Sequence, residues 1–590
     1  MSAFKRAISL QPQNHRGYNN LGVALRELNE VESAIKHFRK AVELAPADID
    51  SQANLANALL EHGVFEEAST LFGRLARLDP SNAGIQARYG AALLAHGDRA
   101  AAKCALQEAI RLDSRLSRGH DMLASIIQQE GDVELAIRHY QTAIDLDPAI
   151  ARAHSNLGNA YITCGLLDDA ISCFVRALEL DSSLALTHDL LLYWLNYSSK
   201  VTMDEIAGVH AVWRKHIVGT IPVMSHPKTG HTHGTRRLRV GYMSPDFRDH
   251  VMARFILPIL ENHDRHDFEI FCYSNAGATD EVTERCRGLA DHWTDITRLS
   301  DEQAARHIRE ARIDILVDLA MHSSGNRLGV FARKPAPIQV TYLSNVSTTG
   351  LRTVDYRIGD PFLDPPDWRD PSYTEETLRM PHTTLCYTPP DELEIAASPF
   401  FATGRITFGN FNNFCKVNEA VLELWARILR AVPDSRLMML VPKGHAQIHT
   451  RRFMEGSGIL AERLLLVERV PKEEYLSVYN QIDIALDPFP YQGSTTTCDA
   501  LWMSCPVVTY AGERGVERVG QSILENIGHP ELVGKNLDEY AEIAIRLAND
   551  PARLANLRSS LRQALASSPL MDAAGFTSDL ENLYRDMWHR

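Results

Sequence analysis

Small and apolar residues in the first third of the chain recur with a period of 34. Ala34, Ala68, Ala102, Ala136 and Ala170 form one column. Phe38, Phe72, Leu106, Tyr140 and Phe174 form a second, and Gly22, Ala56, Gly90, Ala124 and Gly158 a third. Pro46, Pro80 and Pro148 stand on the same grid, Ser114 and Ser182 fill it, and Pro12 extends it backward. Each unit therefore predicts two helices. The small residue sits where they cross closely, the large one fills the gap to the next unit, and the proline ends the second helix. From Arg236 onward the pattern changes. Short apolar runs ("LRVGYMS", "FEIFCYS", "IDILVDLA", "IQVTYLS", "VDYRIGD") alternate with helical stretches, and a second set follows ("ITFGNF", "LMMLVP", "LLLVERV", "IDIALDPF", "CPVVTYAG"). Alternation of this kind predicts parallel strands covered by helices on both faces. Two sets predict two doubly wound domains with a cleft between them, the break lying near 388–404.

The 34-residue columns resemble the tetratricopeptide repeat. Phe4 and Ala7 fit the second helix of one more repeat, so an extension before the chain start is expected. Stacked helix pairs make a superhelix whose concave face suits extended peptides. One column on the first helices reads Asn20, Asn54, Arg88, Met122 and Asn156. Asparagine amides can donate to and accept from any peptide backbone; they are equally at home as solvated polar positions, and the residues alone leave both readings open. "LTHDLLLYWLNY" and "TMDEIAGVHAVWRKHI" predict two further helices that continue or cap the array. "GTIPVMSHPKTGHTHGT" then reads as a linker. Its His226, His231 and His233 have no acid or cysteine at ligand spacing, so a loose polar segment is expected rather than a metal site. The domains expected are 1–200 (repeats), 201–235 (capping helix and linker), 236–390 and 404–590 (the two sheet domains).

Charge and composition narrow the partners. A net charge of −14 over 590 residues argues against a general nucleic-acid binder, which needs a basic footprint. Apolar content of 45% with 23% charged residues fits a globular chain. No run of 18 apolar residues predicts a membrane span, and "MSAFKRAISLQPQNH" lacks the core and cleavage site of a signal peptide. The nine cysteines are scattered without a CxxC, which predicts free thiols in a reducing cytoplasm. The sequons at Asn196 and Asn345 then carry no glycan.

In doubly wound sheets ligands bind beyond the carboxyl ends of the strands. Three post-strand loops carry chemistry: "SPDFRDH" with Asp246 and His250, "FNNFCKV" with Asn412, Asn413 and Lys416, and "DPFPYQGSTTTCDALW". In the last, Gly493, Ser494, Thr495, Thr496 and Thr497 run into a predicted helix containing Asp499. A hydroxyl there could cap the helix. Alternatively, free N–H groups and the helix dipole could hold a phosphate.

Repeats joined to "RVGYMSPDFRDH", "ILVDLAMHSSGNRL", "PAPIQV", "FGNFNNFCKV" and "GSTTTCDALWMSCPVVT" resemble the protein O-glycosyltransferases, the family of the O-GlcNAc transferases and the plant SPINDLY proteins. The resemblance covers essentially the whole chain and is nearest to the SPINDLY-like branch and its bacterial relatives. It implies an α + α/β fold: a tetratricopeptide superhelix, then a GT-B unit of two Rossmann-like parallel-sheet domains. It implies inverting transfer of a sugar from a nucleotide diphosphosugar to Ser or Thr hydroxyls of proteins, with no cofactor and no metal. By resemblance, Lys416 holds the donor diphosphate, Lys472 lies beside the nucleotide, Thr495 and Thr496 contact the diphosphate, and Asp499 binds the ribose. His250 lies beside the reaction centre and Arg518 in a matching "RVG" stretch. Asn413 and Ser494 join the donor set, and Asp246, His322, Thr348 and Thr349 the sugar and acceptor loops. Asn20, Asn54 and Asn156 would line the peptide face. The family context turns the helix start toward phosphate.

The sequence also departs from the family. Ser344, Asn345 and Val346 stand where a Gly-Tyr-Pro turn is usual, in a loop that approaches the sugar in relatives. Met321 replaces a common glycine, and Ser494 a histidine of the animal enzymes. Val470 and Val478, near the expected base pocket, do not distinguish uracil from guanine. UDP-GlcNAc is the expected donor, with GDP-fucose as alternative. A degenerate scaffold that binds a nucleotide sugar without turnover is the rival from another class, and synthesis of a small or lipid-linked glycan is disfavoured by the repeats. Protein acceptors, no nucleic acid, no membrane, and a homodimer left open complete the expectation.

Overall fold

Each 34-residue unit folds as a helix pair in the computed structural model, which describes residues 2–226, 236–368, 370, 372–390 and 393–590. The pairs are His15–Glu27 with Val31–Leu44, Ile49–Glu61 with Phe65–Leu78, Ala83–His96 with Arg99–Leu112, and Ser117–Gln129 with Val133–Leu146. Ala151–Thr163 and Leu167–Leu180 follow in phase. The chain forms two compact units, Met1–Tyr161 and Ile162–Arg590.

Three devices repeat with the sequence. The first is the glycine column: a Cβ on Gly22 would lie 2.6 Å from the Phe38 ring, and one on Gly90 2.6 Å from Leu106. The large residue thus packs over the small residue of its own repeat, a closer partnership than filling the gap to the next. The second is a left-handed turn within each pair, at Asn29, Gly63, Gly97, Gly131 and Gly165 (φ 62 to 97°), where the missing Cβ of glycine removes strain. The third was not foreseen. Gln52 and Gln86 donate to the carbonyls of Pro46 and Pro80 at 2.8 and 3.5 Å. His120, His154 and His188 place Nε2 3.0–3.1 Å from the carbonyls of Ser114, Pro148 and Ser182. The residue that ends one repeat therefore has its free carbonyl satisfied by the next helix. Of the asparagine column, Asn20 is exposed, while Asn54 donates to Asn19 (3.0 Å) and Asn156 to Asp121 (2.9 Å).

In the second unit, Ala185–Leu195 and Met203–Trp213 continue the helices, and a π-turn spans Arg214–Val218. His226 Nε2 lies 2.7 Å from the Lys334 carbonyl, so the expected loose linker is anchored there; His231 and His233 fall outside the described residues. A seven-stranded sheet follows: β1 Leu238–Ser244, β2 Phe268–Ser274, β3 His292–Asp295, β4 Ile315–Asp318, β5 Ile338–Thr341, β6 Tyr356–Gly359 and β7 Glu376–Arg379. A six-stranded sheet contains β8 Thr407–Asn410, β9 Arg436–Leu440, β10 Leu464–Val467, β11 Ile484–Leu486, β12 Val507–Tyr510 and β13 Val533–Gly534. Their orders are β3-β2-β1-β4-β5-β6-β7 and β10-β9-β8-β11-β12-β13, every pairing parallel. Strand order reverses at β1/β4 and at β8/β11, and there the connections diverge and leave a crevice.

The C-terminal helix Ala573–His589 does not stay with the second sheet. Phe576, Leu580, Tyr584 and Met587 join the core of the first, with Val240, Tyr242 and Ile256. Glu581 Oε1 accepts from the Asp264 N–H at 2.8 Å and lies 2.9 Å from His263 Nδ1. The expected boundary at 404–590 is corrected accordingly: in sequence this segment is one more amphipathic helix, and nothing local marks its destination.

Gly90→Val should lower stability by about 1–3 kcal/mol through overpacking against Leu106. Gly208→Ala, in the Met203–Trp213 helix where an added Cβ meets nothing, should be neutral or stabilising by up to about 1 kcal/mol. Urea denaturation followed by circular dichroism checks both; equal effects would refute the packing account of the glycine column.

Candidate functional site

At the β8/β11 reversal, Asn410 bridges the gap by donating to the Leu486 carbonyl at 2.8 Å. The loops leaving these strands carry Asn412 and Lys416 on one side and Asp487 to Ser494 on the other. Asn412 Oδ1 accepts from Lys416 Nζ at 3.0 Å and from Thr496 Oγ1 at 2.7 Å. Lys416 Nζ also donates to the Gln492 carbonyl at 2.8 Å. The lysine is only 9% exposed. Burial pushes its pKa down, opposed by the nearby Asp487 charge. Burial in turn pushes the Asp487 carboxyl up, against donors from Gly493 N–H (2.8 Å) and Thr509 Oγ1 (2.9 Å).

The hydroxyl row opens the helix Thr495–Trp502, and no side chain caps it. Its first N–H groups thus have neither an intrahelical partner nor a capping one, and they add the positive end of the helix dipole to the Lys416 ammonium. Gly493 is required here, because a Cβ would strike the Thr496 and Thr497 hydroxyls and crowd Asn412. Thr497 Oγ1 donates back to the Gly493 carbonyl at 3.1 Å. Ser494 and Thr495 sit at the helix start, partly exposed. Asn413 stands apart from the lysine: it is exposed and accepts from Cys415 N–H at 3.1 Å, so Asn412 takes the place expected of it.

Asp499 departs further from expectation. It is 1% exposed, and its Oδ1 accepts from Arg254 Nη1 at 2.7 Å and from the Tyr387 hydroxyl at 2.6 Å. Its position, one turn into the helix, points it inward to residues attached to the first sheet. Lys472 is exposed and pairs with Asp249, beside His250, at 2.5 Å. Arg518 donates to the carbonyls of Phe362 (2.7 Å) and Gly512 (3.0 Å). All three tie the two sheets' lobes together.

Beyond β1, His250 lies with Nδ1 3.6 Å from Asp246 Oδ2, its side chain 36% exposed. Burial lowers its pKa and the Asp246 carboxylate opposes the shift. His322, Thr348 and Thr349 do not reach this cleft as free groups. His322 is buried between Asp189 Oδ1 (2.8 Å) and the Thr349 carbonyl (3.0 Å). The Thr348 hydroxyl donates to Glu375 at 2.6 Å, and Thr349 donates both its N–H (2.8 Å) and its hydroxyl to the same carboxylate. Glu375 is itself buried and needs those donors. The substituted Ser344–Val346 loop borders a small recess lined by Met321, Leu343, Asn345 and Arg357 among others. Met321 and Leu343 hold φ of 47 and 72°, a conformation that side-chain-bearing residues rarely adopt. Asn345 Oδ1 is buried without a partner.

The sequence model described as Glycosyl transferase family 41 matches residues 182–387 and 400–580, and tetratricopeptide models match 15–48, 127–165 and 151–184. The chain belongs to glycosyltransferase family 41. Among its relatives is the SPINDLY protein of Solanum lycopersicum, a probable UDP-N-acetylglucosamine–peptide N-acetylglucosaminyltransferase. It is 38% identical over 408 residues, which is 67% of this chain and 43% of the relative. The SPINDLY protein of Petunia hybrida, described in the same words, is 41% identical over 364 residues, 60% of this chain and 39% of the relative. This family 41 chain thus spans about two fifths of the length of these relatives. A solved structure of a lysine-to-methionine variant of the O-GlcNAc transferase from Thermobaculum terrenum is 35% identical, with a TM-score of 0.79, covering 87% of this chain and 98% of that one. The repeat array followed by two parallel-sheet domains is the architecture that the family resemblance implied. Among the described residues, no cluster of three or more His, Cys, Asp or Glu could hold a metal ion, and no helix is long and apolar enough to cross a membrane.

Sequence reasoning passed over Arg254, Tyr387, Asp487 and Gln492. Asp487 alone carried a signal, since it follows β11 directly. The Arg254–Asp499 pair yields a stability test. Arg254→Ala should lower stability by about 3–5 kcal/mol, because it leaves a buried carboxylate without its cation. Arg254→Ala combined with Asp499→Leu should recover part of the loss in urea denaturation; strict additivity would show that the pair is not coupled.

Proposed function

We propose that this family 41 chain transfers N-acetylglucosamine from UDP-GlcNAc to Ser or Thr hydroxyls of proteins, with inversion and without a required metal. One observation carries the reading: the buried Lys416 ammonium and the uncapped start of Thr495–Trp502 are linked through Asn412 Oδ1. That is a site for a dianionic diphosphate. The names of the relatives support the donor and the protein acceptor, and repeats of this kind suit protein binding. None of the relatives named above is described as using GDP-fucose.

In this reading the acceptor oxygen attacks the anomeric carbon while the bond to the diphosphate oxygen breaks. Negative charge gathers on the leaving group, where the ammonium and the helix N–H groups stabilise it more than in the ground state. The hydroxyl proton goes to His250. Its lowered pKa keeps the ring free to accept a proton near neutrality. The replaced Ser344–Val346 loop, with its unpartnered Asn345 oxygen, favours a second reading in which a nucleotide sugar binds without turnover.

Calorimetry with UDP-GlcNAc and GDP-fucose separates these readings. UDP-GlcNAc should bind the chain and bind Lys416→Ala much more weakly, and transfer to a protein acceptor should survive EDTA. Binding without transfer to any acceptor would favour the scaffold, and GDP-fucose binding alone would overturn the sugar assignment.

The pH dependence has a definite sign. With the His250 pKa below 6.5, the acid limb of kcat/KM should lie below that pH. Because the Asp246 charge raises the histidine pKa, Asp246→Asn should move the limb to still lower pH; a shift upward would remove His250 as the group that titrates.

A further inference from the structure

The lysine loop has a second set of neighbours, which the donor chemistry does not use. They come from the helices that precede the sheets in the same compact unit. The Phe414 ring covers Gly165, where any side chain would collide with it. The Cys415 thiol donates to the Ile162 carbonyl at 3.0 Å. Tyr197, just past the Ala185–Leu195 helix and 4% exposed, stacks on Tyr491 with ring centroids 4.1 Å apart and planes within 18°. Tyr197 is held from behind by Trp194, at 4.8 Å between rings, and by the Tyr193 hydroxyl at 3.1 Å. The Lys416 ammonium lies 4.9 Å from the centroid of the Tyr491 ring.

Lysine is a flexible stem of four carbons, so two oxygens alone leave the ammonium some freedom to shift. The face of an aromatic ring attracts the cation and restricts it further. Tyr491 also immediately precedes Gln492, whose carbonyl accepts from the same ammonium. One ring thus sets both the electrostatic floor under Lys416 and the backbone oxygen that anchors it.

We propose that Tyr491 is a positioning residue for Lys416 and that Tyr197 braces it, making the helices ahead of the sheets a working part of the diphosphate site. The inference rests on Lys416 as the diphosphate ligand, and the test separates the two. Affinities for UDP and UMP are measured by calorimetry. Their ratio isolates the second phosphate, which a change in overall stability does not move. The wild-type chain should prefer UDP, and Lys416→Ala should abolish the preference. Tyr491→Leu should shrink the ratio about tenfold, Tyr491→Phe should keep it, and Tyr491→Leu should add nothing in the Lys416→Ala background. Tyr197→Leu, remote from the ligand, should shrink it about threefold and carries the test if Tyr491→Leu does not fold. An unchanged ratio in a folded Tyr491→Leu or Tyr197→Leu overturns the positioning role and leaves Lys416 in place. A wild-type chain that does not prefer UDP overturns the Lys416 assignment, and this inference with it.

Discussion

A buried ammonium must be surrounded by acceptors, since taking the charge out of water without them is prohibitive. Around Lys416 that requirement organises the whole β8/β11 crevice. Asn412 must turn its oxygen inward, Gln492 must offer its carbonyl, and Asp487 must stand close enough to oppose the effect of burial. Each of these is then fixed by something else: Asp487 by Gly493 and Thr509, Asn412 by Thr496. Gly493 has to be glycine because the hydroxyls it lies beside are already committed. The uncapped helix start is thereby tied to the lysine through Asn412 and Thr496.

The second constraint is that two lobes must meet without sealing the crevice between them. Beside the apolar packing of Phe255, Leu363 and Tyr387, the contacts that join them are polar and specific: Asp499 with Arg254 and Tyr387, Arg518 with the Phe362 carbonyl, Lys472 with Asp249. They differ in weight. The exposed Lys472–Asp249 pair is screened by solvent and contributes little, whereas the enclosed Asp499 cluster tolerates no loss of a partner. The C-terminal helix adds an apolar tie by returning to the first core.

The repeats, the strand alternation and the three post-strand loops were legible because each is written locally. A 34-residue column needs one residue type at one spacing, and a parallel strand is a short apolar run. Partnerships across long separations were not legible. Asp499 and Arg254 are 245 residues apart, and Asp499 and Tyr387 are 112 apart. A motif that names an aspartate says nothing of the arginine that claims it. Thr348 and Thr349 looked like loop hydroxyls facing a ligand until Glu375, 26 residues on from Thr349, drew them inward. Asn412 and Asn413 are indistinguishable in sequence; chain direction after β8 buries one and exposes the other.

The Gln and His side chains that close on the preceding carbonyl span only six residues each, as do Gln52 to Pro46 and His154 to Pro148. Such a latch travels intact when a whole repeat is duplicated or lost, because no backbone group is orphaned at the new junction. A chain built this way can change its reach in steps of one repeat while the crevice keeps its chemistry. The length of the array can then change by recombination of cassettes rather than by remodelling of the site.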